Sequence, residues 1–243
     1  EVEKIILETK EKTNAPFAVN IALTVSPYVK EVLQLVINHK VPVVSLSAGN
    51  PVPIIPKLKQ YGIKIICVVA TPRQAQKAEE AGADIVVAEG YEAAGINSNL
   101  EITTLALIPQ IVDAVNIPVV AAGGIGDGRG LAAVLSLGAS GAQIGTRLIA
   151  TKEAPFHIAY KEKLIQANDN ATIVVGRSVG RVRRVLKAPY SDLLLQKEYE
   201  GISLEDFNSM TTEEQHILGA MKGDLENGFI NGGQVAAIIR TIP

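Results

Sequence analysis

Short runs of apolar and β-branched residues recur along the chain, and each is followed by a segment whose apolar residues return every three or four positions. Six such runs can be counted, at residues 17–21, 43–47, 63–69, 84–88, 118–122 and 142–145. Strands that alternate with amphipathic helices are typical of a parallel sheet buried on both faces. The pattern therefore predicts an α/β fold made of βα units.

The number of strands helps to distinguish a parallel barrel from a doubly wound sheet. A TIM (β/α)8 barrel closes with eight strands and commonly has about 250 residues, whereas a doubly wound sheet often has six strands. The chain has 243 residues, and its first segment, residues 2–13, has the pattern of a helix. We expect a TIM (β/α)8 barrel that lacks its N-terminal βα units, about 60 residues. The doubly wound sheet is the alternative.

The part of the chain after the last predicted strand has a different pattern. From residue 160 to residue 243 the sequence favours helices and connections, with no further strand. We predict a division into a barrel, residues 1–155, and a helical region, residues 156–243, that packs beside the barrel and over its mouth.

Charge argues against two classes of partner. The formal net charge is -2, and the 23 lysines and arginines are spread along the chain. This distribution argues against nucleic acid or an anionic membrane as the main partner. The exception is residues 177–184, which carry four arginines. We interpret this segment as a solvated helix face, with an acidic ligand or partner as the alternative.

Cysteine content and hydropathy indicate the compartment. Cys67 is the only cysteine and lies in an apolar run, so an intramolecular disulfide is excluded and a reducing setting is natural. No apolar stretch reaches the roughly 20 residues that a membrane-spanning helix needs. We therefore expect a cytoplasmic protein.

Two glycine-rich turns follow the last two predicted strands. Residues 118–122 run into Gly123 and Gly124, and about 20 residues later the next strand runs into Gly145 and Thr146. Glycines let backbone N–H groups approach a phosphate, and a helix that starts nearby adds the positive end of its dipole. Parallel barrels often bind phosphate after strands seven and eight, so the pair of turns predicts a phosphate site.

Other predicted strands end in polar residues. Asn20 ends the first, Gly49 lies just after the second, and Glu89 ends the fourth. Asn20 is expected to be a buried amide that needs a partner. Because these groups suit the polar edge of a flavin ring, whose N3 donates and whose carbonyls accept, we predict a ligand role for them.

The motifs as a set resemble the nitronate monooxygenases, formerly called 2-nitropropane dioxygenases, and the related FMN-dependent enoyl-acyl carrier protein reductases. The resemblance covers essentially the whole chain and rests on residues 20–21, 47–51, 88–95, 122–128, 143–147 and 231–236. It implies a barrel, residues 1–155, that binds FMN. By this resemblance Gly123, Gly124, Gly145 and Thr146 hold the phosphate, and Asn20, Gly49 and Glu89 lie near the ring system.

One residue departs from the family pattern. Members often have Glu-Ala-Gly-Gly-His after the fourth strand seen here, and the histidine is the usual candidate for proton transfer. This chain has Ile96 at that position, and an isoleucine exchanges no proton. Asn97 and Tyr91 are the remaining candidate catalytic residues by position. His39, His157 and His216 are expected to lie at the surface.

The missing histidine favours one reaction over the other. Enoyl reduction needs a delivered proton, whereas a nitronate is already anionic at the carbon to be oxidised. The resemblance therefore implies an FMN-dependent oxidoreductase, most simply a nitronate monooxygenase that oxidises alkyl nitronates with O2. An enoyl-acyl carrier protein reductase that uses NAD(P)H is the alternative. Whether NAD(P)H binds is left open, and a homodimer is compatible with the sequence.

Three further classes stay open. An inosine monophosphate dehydrogenase type of barrel shares the paired glycine turns but needs a nucleophilic cysteine, which Cys67 in its apolar strand does not supply. A non-catalytic module could bind flavin or another phosphate ligand. A barrel that acts on a sugar phosphate would contain no flavin.

Overall fold

The computed structural model describes all of residues 1–243. Nine strands follow one another along the chain: β1 (Ala18–Ala22), β2 (Val43–Ser47), β3 (Lys64–Val69), β4 (Ile85–Glu89), β5 (Gly95–Ile96), β6 (Val119–Ala122), β7 (Gly141–Gln143), β8 (Thr172–Val175) and β9 (Arg183–Leu186).

Eleven α-helices and one 3-10 helix lie between and after the strands. They are α1 (Val2–Lys12), α2 (Val29–Asn38), α3 (Ile55–Lys59), α4 (Pro72–Glu80), α5 (Thr104–Val112), α6 (Gly128–Ser136), α7 (Thr146–Ile149), α8 (Ile158–Ile165), α9 (Pro189–Tyr199), α10 (Leu204–Met210), α11 (Glu213–Lys222) and the 3-10 helix (Gln234–Ile238).

Six strands form one sheet in the order β1-β2-β3-β4-β6-β7. The pairs β1–β2, β2–β3 and β3–β4 are parallel, so the predicted α/β fold with a parallel sheet is confirmed. All six predicted strands are present, with ends that differ by at most two residues.

The two faces of this sheet differ in burial. Ile21, Leu46, Cys67 and Val86 are register partners across four strands and are at most 2% exposed. The neighbouring row on the other face is Asn20, Ser45, Ile66 and Ile85, none of which is fully buried. One face is therefore closed by packing, and the other is more open and carries polar groups at its β1–β2 edge.

The expectation that residues 160–243 contain no strand is wrong. β8 and β9 pair antiparallel there, and β9 also pairs with β5 in a three-stranded sheet of order β5-β9-β8. Each of these strands has four residues or fewer, and two arginines interrupt the apolar pattern of β9. The solvated helix face predicted for residues 177–184 is also wrong, because Arg184 is 3% exposed and lies in β9.

The chain divides into two compact units. The first contains Glu1–Ala88, Leu107–Val120 and Gly138–Ser140, and the second contains Glu89–Ala106, Ala121–Leu137 and Gly141–Pro243. The second unit has its own apolar clusters, one around Tyr160, Leu164 and Ile230 and another around Phe207 and Phe229. The predicted functional division between residues 1–155 and 156–243 stays a prediction.

No helix of the structure combines the length and the apolar character that crossing a membrane requires.

Candidate cofactor and substrate site

The turn after β6 has a backbone that only glycine tolerates well. Gly123 and Gly124 both have positive φ, +86° and +73°. A Cβ on Gly123 would lie 2.7 Å from the carbonyl oxygen of Gly90 and 3.1 Å from the backbone nitrogen of Ala93. The absence of side chains here therefore lets the turn pack directly against the segment that follows β4.

The helix after this turn is already capped by a carboxylate. Asp127 precedes α6, and its side chain accepts hydrogen bonds from the amides of Arg129 at 2.9 Å and Gly130 at 3.4 Å. These amides are the donors that a helix start offers to an anion. The amides at the start of α6 that we expected to bind a phosphate are thus largely occupied by Asp127.

The second glycine turn leads from β7 into α7. Gly145 has open space where a Cβ would point, and Thr146 is 6% exposed. The Thr146 hydroxyl oxygen accepts a hydrogen bond from the Gly233 amide at 3.0 Å, and its own hydrogen is donated to no protein atom. Thr146 is therefore held in place and keeps one donor for a ligand.

Three backbone amides in the two turns have no acceptor in the protein. The N–H groups of Gly124, Gly145 and Thr146 donate to no backbone or side-chain oxygen, although their neighbours take part in turns and caps. Unpaired amides beside glycines are the donor set that a phosphate requires. These residues fit the phosphate of FMN.

Residues 231–234 pack against this region. The Gly233 amide binds Thr146 as described, and the Gln234 amide donates to the carbonyl oxygen of Glu92 at 3.0 Å. A Cβ on Gly233 would lie 2.9 Å from that same carbonyl oxygen. The segment that the sequence resemblance singled out is thus brought to Thr146.

Glu92 connects the loop after β4 to the start of α5. Its carboxylate accepts hydrogen bonds from the Thr104 amide at 2.8 Å and from the Thr104 hydroxyl at 2.9 Å. The Thr104 hydroxyl oxygen also lies 3.0 Å from the Gly123 carbonyl oxygen. Glu92 is therefore a structural residue that fixes the first glycine turn, a role that sequence reasoning missed.

Glu89 is the least stabilised carboxylate of the region. Its side chain makes no hydrogen bond or ion pair with the protein, and burial raises the pKa of Glu89 to about 7 from its ordinary 4.5. A carboxyl group with that pKa exchanges protons near neutral pH. Its predicted place near a flavin ring stays a prediction.

Asn20 and Gly49 lie in the first unit, at the ends of β1 and β2. Asn20 is exposed on the edge strand, so the expected burial of its amide is wrong. A Cβ on Gly49 would lie 2.7 Å from the Cβ of Leu23, so close packing of the two loops accounts for this glycine. The predicted cofactor contacts of both residues stay predictions.

Tyr91 and Asn97, the two candidate catalytic residues, are both engaged in the protein. The Tyr91 hydroxyl binds the Arg177 guanidinium, and Arg184 lies 4.5 Å from the centre of the tyrosine ring. The Asn97 amide nitrogen donates to the carbonyl oxygens of Ala93 at 3.0 Å and Gly95 at 3.1 Å. Both side chains therefore support the loop that carries Ile96, which is 41% exposed.

The three histidines differ in exposure. His157 is exposed and caps α8. His39 binds Glu3 at 2.7 Å, and its side chain is 20% exposed. The His216 ring stacks on Phe229 with 5.5 Å between ring centres, and its side chain is 22% exposed. His157 thus lies at the surface as expected, and His39 and His216 are partly exposed.

Comparison with known proteins identifies the class of this chain. The family model of the nitronate monooxygenases matches residues 2–243, so the chain belongs to the nitronate monooxygenase family, a family of oxidoreductases that typically depend on FMN.

Individual relatives have different names. FabK from Thermotoga maritima is 42% identical, with a TM-score of 0.90 over 99% of this chain and 76% of FabK. A probable nitronate monooxygenase from Staphylococcus haemolyticus is 40% identical over 182 residues, 71% of this chain and 50% of the relative. An indene-carboxyl-CoA dehydrogenase from Rhodococcus jostii is 36% identical over 201 residues, 83% of this chain and 55% of the relative. The chain thus spans about half the length of the two curated relatives from Staphylococcus haemolyticus and Rhodococcus jostii.

Proposed function

We propose that this chain belongs to an FMN-dependent nitronate monooxygenase that oxidises alkyl nitronates with O2. The observation that carries the proposal is Ile96 at the position of the family histidine, beside a loop whose polar side chains are bonded to the protein. A site without a proton donor at this position suits a substrate that is already an anion.

The proposed binding of FMN rests on the free donors of the two glycine turns. The amides of Gly124, Gly145 and Thr146 would hold the phosphate, with the hydroxyl of Thr146 as a fourth donor. The carboxyl of Glu89 would accept a hydrogen bond from the ring system. When bound, FMN supplies the electron acceptor that the amino acids lack. The roles of Asn20 and Gly49 are proposed from the resemblance alone.

We also propose that the parallel sheet is part of a (β/α)8 barrel. The likeness to FabK over 99% of this chain supports that architecture over the doubly wound sheet.

A second candidate is an enoyl-acyl carrier protein reductase that uses NAD(P)H. Its support is the 42% identity to FabK, which belongs to the enoyl-acyl carrier protein reductases. The reduction needs a proton, and Glu89, with its pKa of about 7, is the group of this region that exchanges one near neutral pH.

The two candidates differ in what reduces the flavin. In the test, ethylnitronate, NADH or NADPH is added anaerobically to the FMN-loaded full-length protein, and the absorbance of the flavin is measured. We expect bleaching by ethylnitronate and none by the nicotinamides. Bleaching by NADH or NADPH alone would replace this proposal with the reductase, and bleaching by neither class would favour a non-catalytic flavin-binding module.

A further inference from the structure

Two polar side chains share a face of the small sheet with Ile96, and a third contacts one of them. Ile96 is the register partner of Arg183 in the antiparallel pair β5–β9, and Asn231 forms a bridge with Val185, two residues further along β9. Side chains of directly opposed residues lie on the same side of a sheet, as do residues two apart on one strand. Ile96, Arg183 and Asn231 therefore project from one face, and His216 joins them through Asn231. We call Arg183, His216 and Asn231 the Arg183 cluster.

Arg183 is a cation whose hydrogen-bonding capacity is unused. Its guanidinium lies 4.8 Å from the centre of the Phe229 ring, and it forms neither a hydrogen bond nor a salt bridge with the protein. A guanidinium carries five N–H donors in a planar fork that matches two oxygens of an anion. The acidic group whose charge acts on the Arg183 guanidinium is Glu213, and the Glu213 side chain is 81% exposed. A half-buried guanidinium so placed is suited to an anionic ligand.

Asn231 has one amide atom without a partner. Its Nδ2 lies 3.2 Å from Nε2 of His216, while its Oδ1 is buried and makes no hydrogen bond. A half-turn of the amide would exchange these atoms, and His216 in its other tautomer would then donate to Oδ1. Nδ2 would then take the buried position that Oδ1 now occupies. Burial lowers the pKa of His216, which keeps the ring neutral and able to take either role.

Gly95 lies next to the amide of Asn231. The Asn231 amide is 3.8–3.9 Å from where a Cβ on Gly95 would be, and Gly95 has a φ of +76°. Gly95 directly precedes Ile96, which is 41% exposed. The Arg183 cluster thus borders the position where the family places its proton-transferring histidine.

We propose that the Arg183 cluster binds the planar two-oxygen anion of the substrate, with Arg183 as the main specificity-determining residue. Arg183 pairs with the two oxygens, and Asn231, held by His216, lies beside it on the same face. This inference rests on the proposed function, in which the anion is a nitronate. It explains how a site with Ile96 in place of histidine selects an anion rather than a neutral enoyl substrate.

The test uses propionate, a stable carboxylate with the same two-oxygen geometry as ethylnitronate. Its affinity for the full-length protein is measured by ligand-observed NMR titration, with propionamide as the neutral comparison. Arg183→Gln should weaken propionate binding about tenfold or more, because hydrogen bonds between charged groups are lost. Arg183→Lys should fall between Arg183→Gln and the unchanged protein, since lysine keeps the charge without the fork. Arg181→Gln, an exposed arginine of the same segment, is the matched control and should bind as before.

The same variants are then reduced anaerobically with ethylnitronate. Arg183→Gln should raise the nitronate concentration for half-maximal reduction rate and leave the limiting rate nearly unchanged, because Arg183 binds rather than reacts. Equal propionate affinity for Arg183→Gln, Arg181→Gln and the unchanged protein would overturn the inference. If Arg183→Gln unfolds, an unchanged affinity in Arg183→Lys overturns it instead. Propionate binding that depends on Arg183 without any reduction by ethylnitronate would leave the inference standing and reject the proposed function.

Discussion

At the scale of single residues, Glu89 links stability to pH. Because its pKa is raised from 4.5 to about 7, the folded protein binds more protons than the unfolded chain between these values. The free energy of unfolding should therefore fall as pH rises through this window. Glu89→Gln removes the buried charge and should be more stable than the unchanged protein near pH 8 by up to about 3 kcal/mol.

Melting temperatures of the FMN-free protein between about pH 4 and pH 8 measure this effect. The difference between Glu89→Gln and the unchanged protein should grow across the window. Glu80→Gln, which changes an exposed carboxylate, should show no such growth. A constant difference for Glu89→Gln would mean that Glu89 ionises freely.

The glycine turn offers a matched pair of substitutions. Gly123→Ala places a methyl group 2.7 Å from the Gly90 carbonyl oxygen at a φ of +86°, and should cost about 2 kcal/mol or more. Gly128→Ala meets no atom within 4 Å in the first turn of α6, and should be neutral or stabilise by about 0.5–1 kcal/mol.

Urea unfolding of both glycine variants gives these free energies, and FMN titration gives their affinities. We expect Gly123→Ala to lose both stability and FMN affinity and Gly128→Ala to keep both. Equal stability of the two variants would show that the turn tolerates a side chain and would remove the structural reason for Gly123.

The sequence predicted the glycine pair better than the polar groups around it. Gly123 and Gly124 could be recognised because a glycine-rich stretch directly after an apolar run marks a turn whose backbone needs freedom from side chains. The cluster of Arg183, His216 and Asn231 could not, because its members are 33 and 15 residues apart along the chain and are brought together only by strand pairing and a side-chain contact. Asn20 was misjudged because the sequence does not reveal which strand lies at the sheet edge.

At the scale of elements, the start of α5 depends on Thr104, whose amide and hydroxyl bind the Glu92 carboxylate. Thr104 is 5% exposed, so a lost hydrogen bond there is not replaced by water. Thr104→Val should destabilise the protein by about 1–3 kcal/mol, because the carboxylate of Glu92 loses a donor. Thr104→Ser keeps the hydroxyl and should retain most of this stability.

Urea unfolding of Thr104→Val and Thr104→Ser separates the hydroxyl from the shape of the side chain. Equal losses in the two variants would assign the effect to packing rather than to the bond with Glu92.

Element prediction succeeded where a single period dominated. β2 has the predicted bounds because its run is apolar on its buried side and ends at turn residues. β8 and β9 were missed because four-residue strands leave little periodicity, and because two arginines in β9 make the segment look solvated. Pairing with β5 and the stacking of Arg183 on Phe229 make the strand possible.

At the scale of the whole molecule, the proposed activity depends on the glycine turns holding the phosphate of FMN. Comparison of FMN with riboflavin isolates this interaction, because the two ligands share the ring system and differ only in the phosphate. The free amides of Gly124, Gly145 and Thr146 should make FMN bind much more tightly, by about a hundredfold or more, because these donors form charge-assisted hydrogen bonds with the phosphate.

The decisive experiment therefore starts with the purified full-length protein from which any bound cofactor has been removed. Its affinities for FMN and for riboflavin are measured by flavin fluorescence. We predict tight binding of FMN and a loss of about two orders of magnitude for riboflavin. Equal affinity for the two flavins, or no binding of FMN, would contradict the proposed phosphate site.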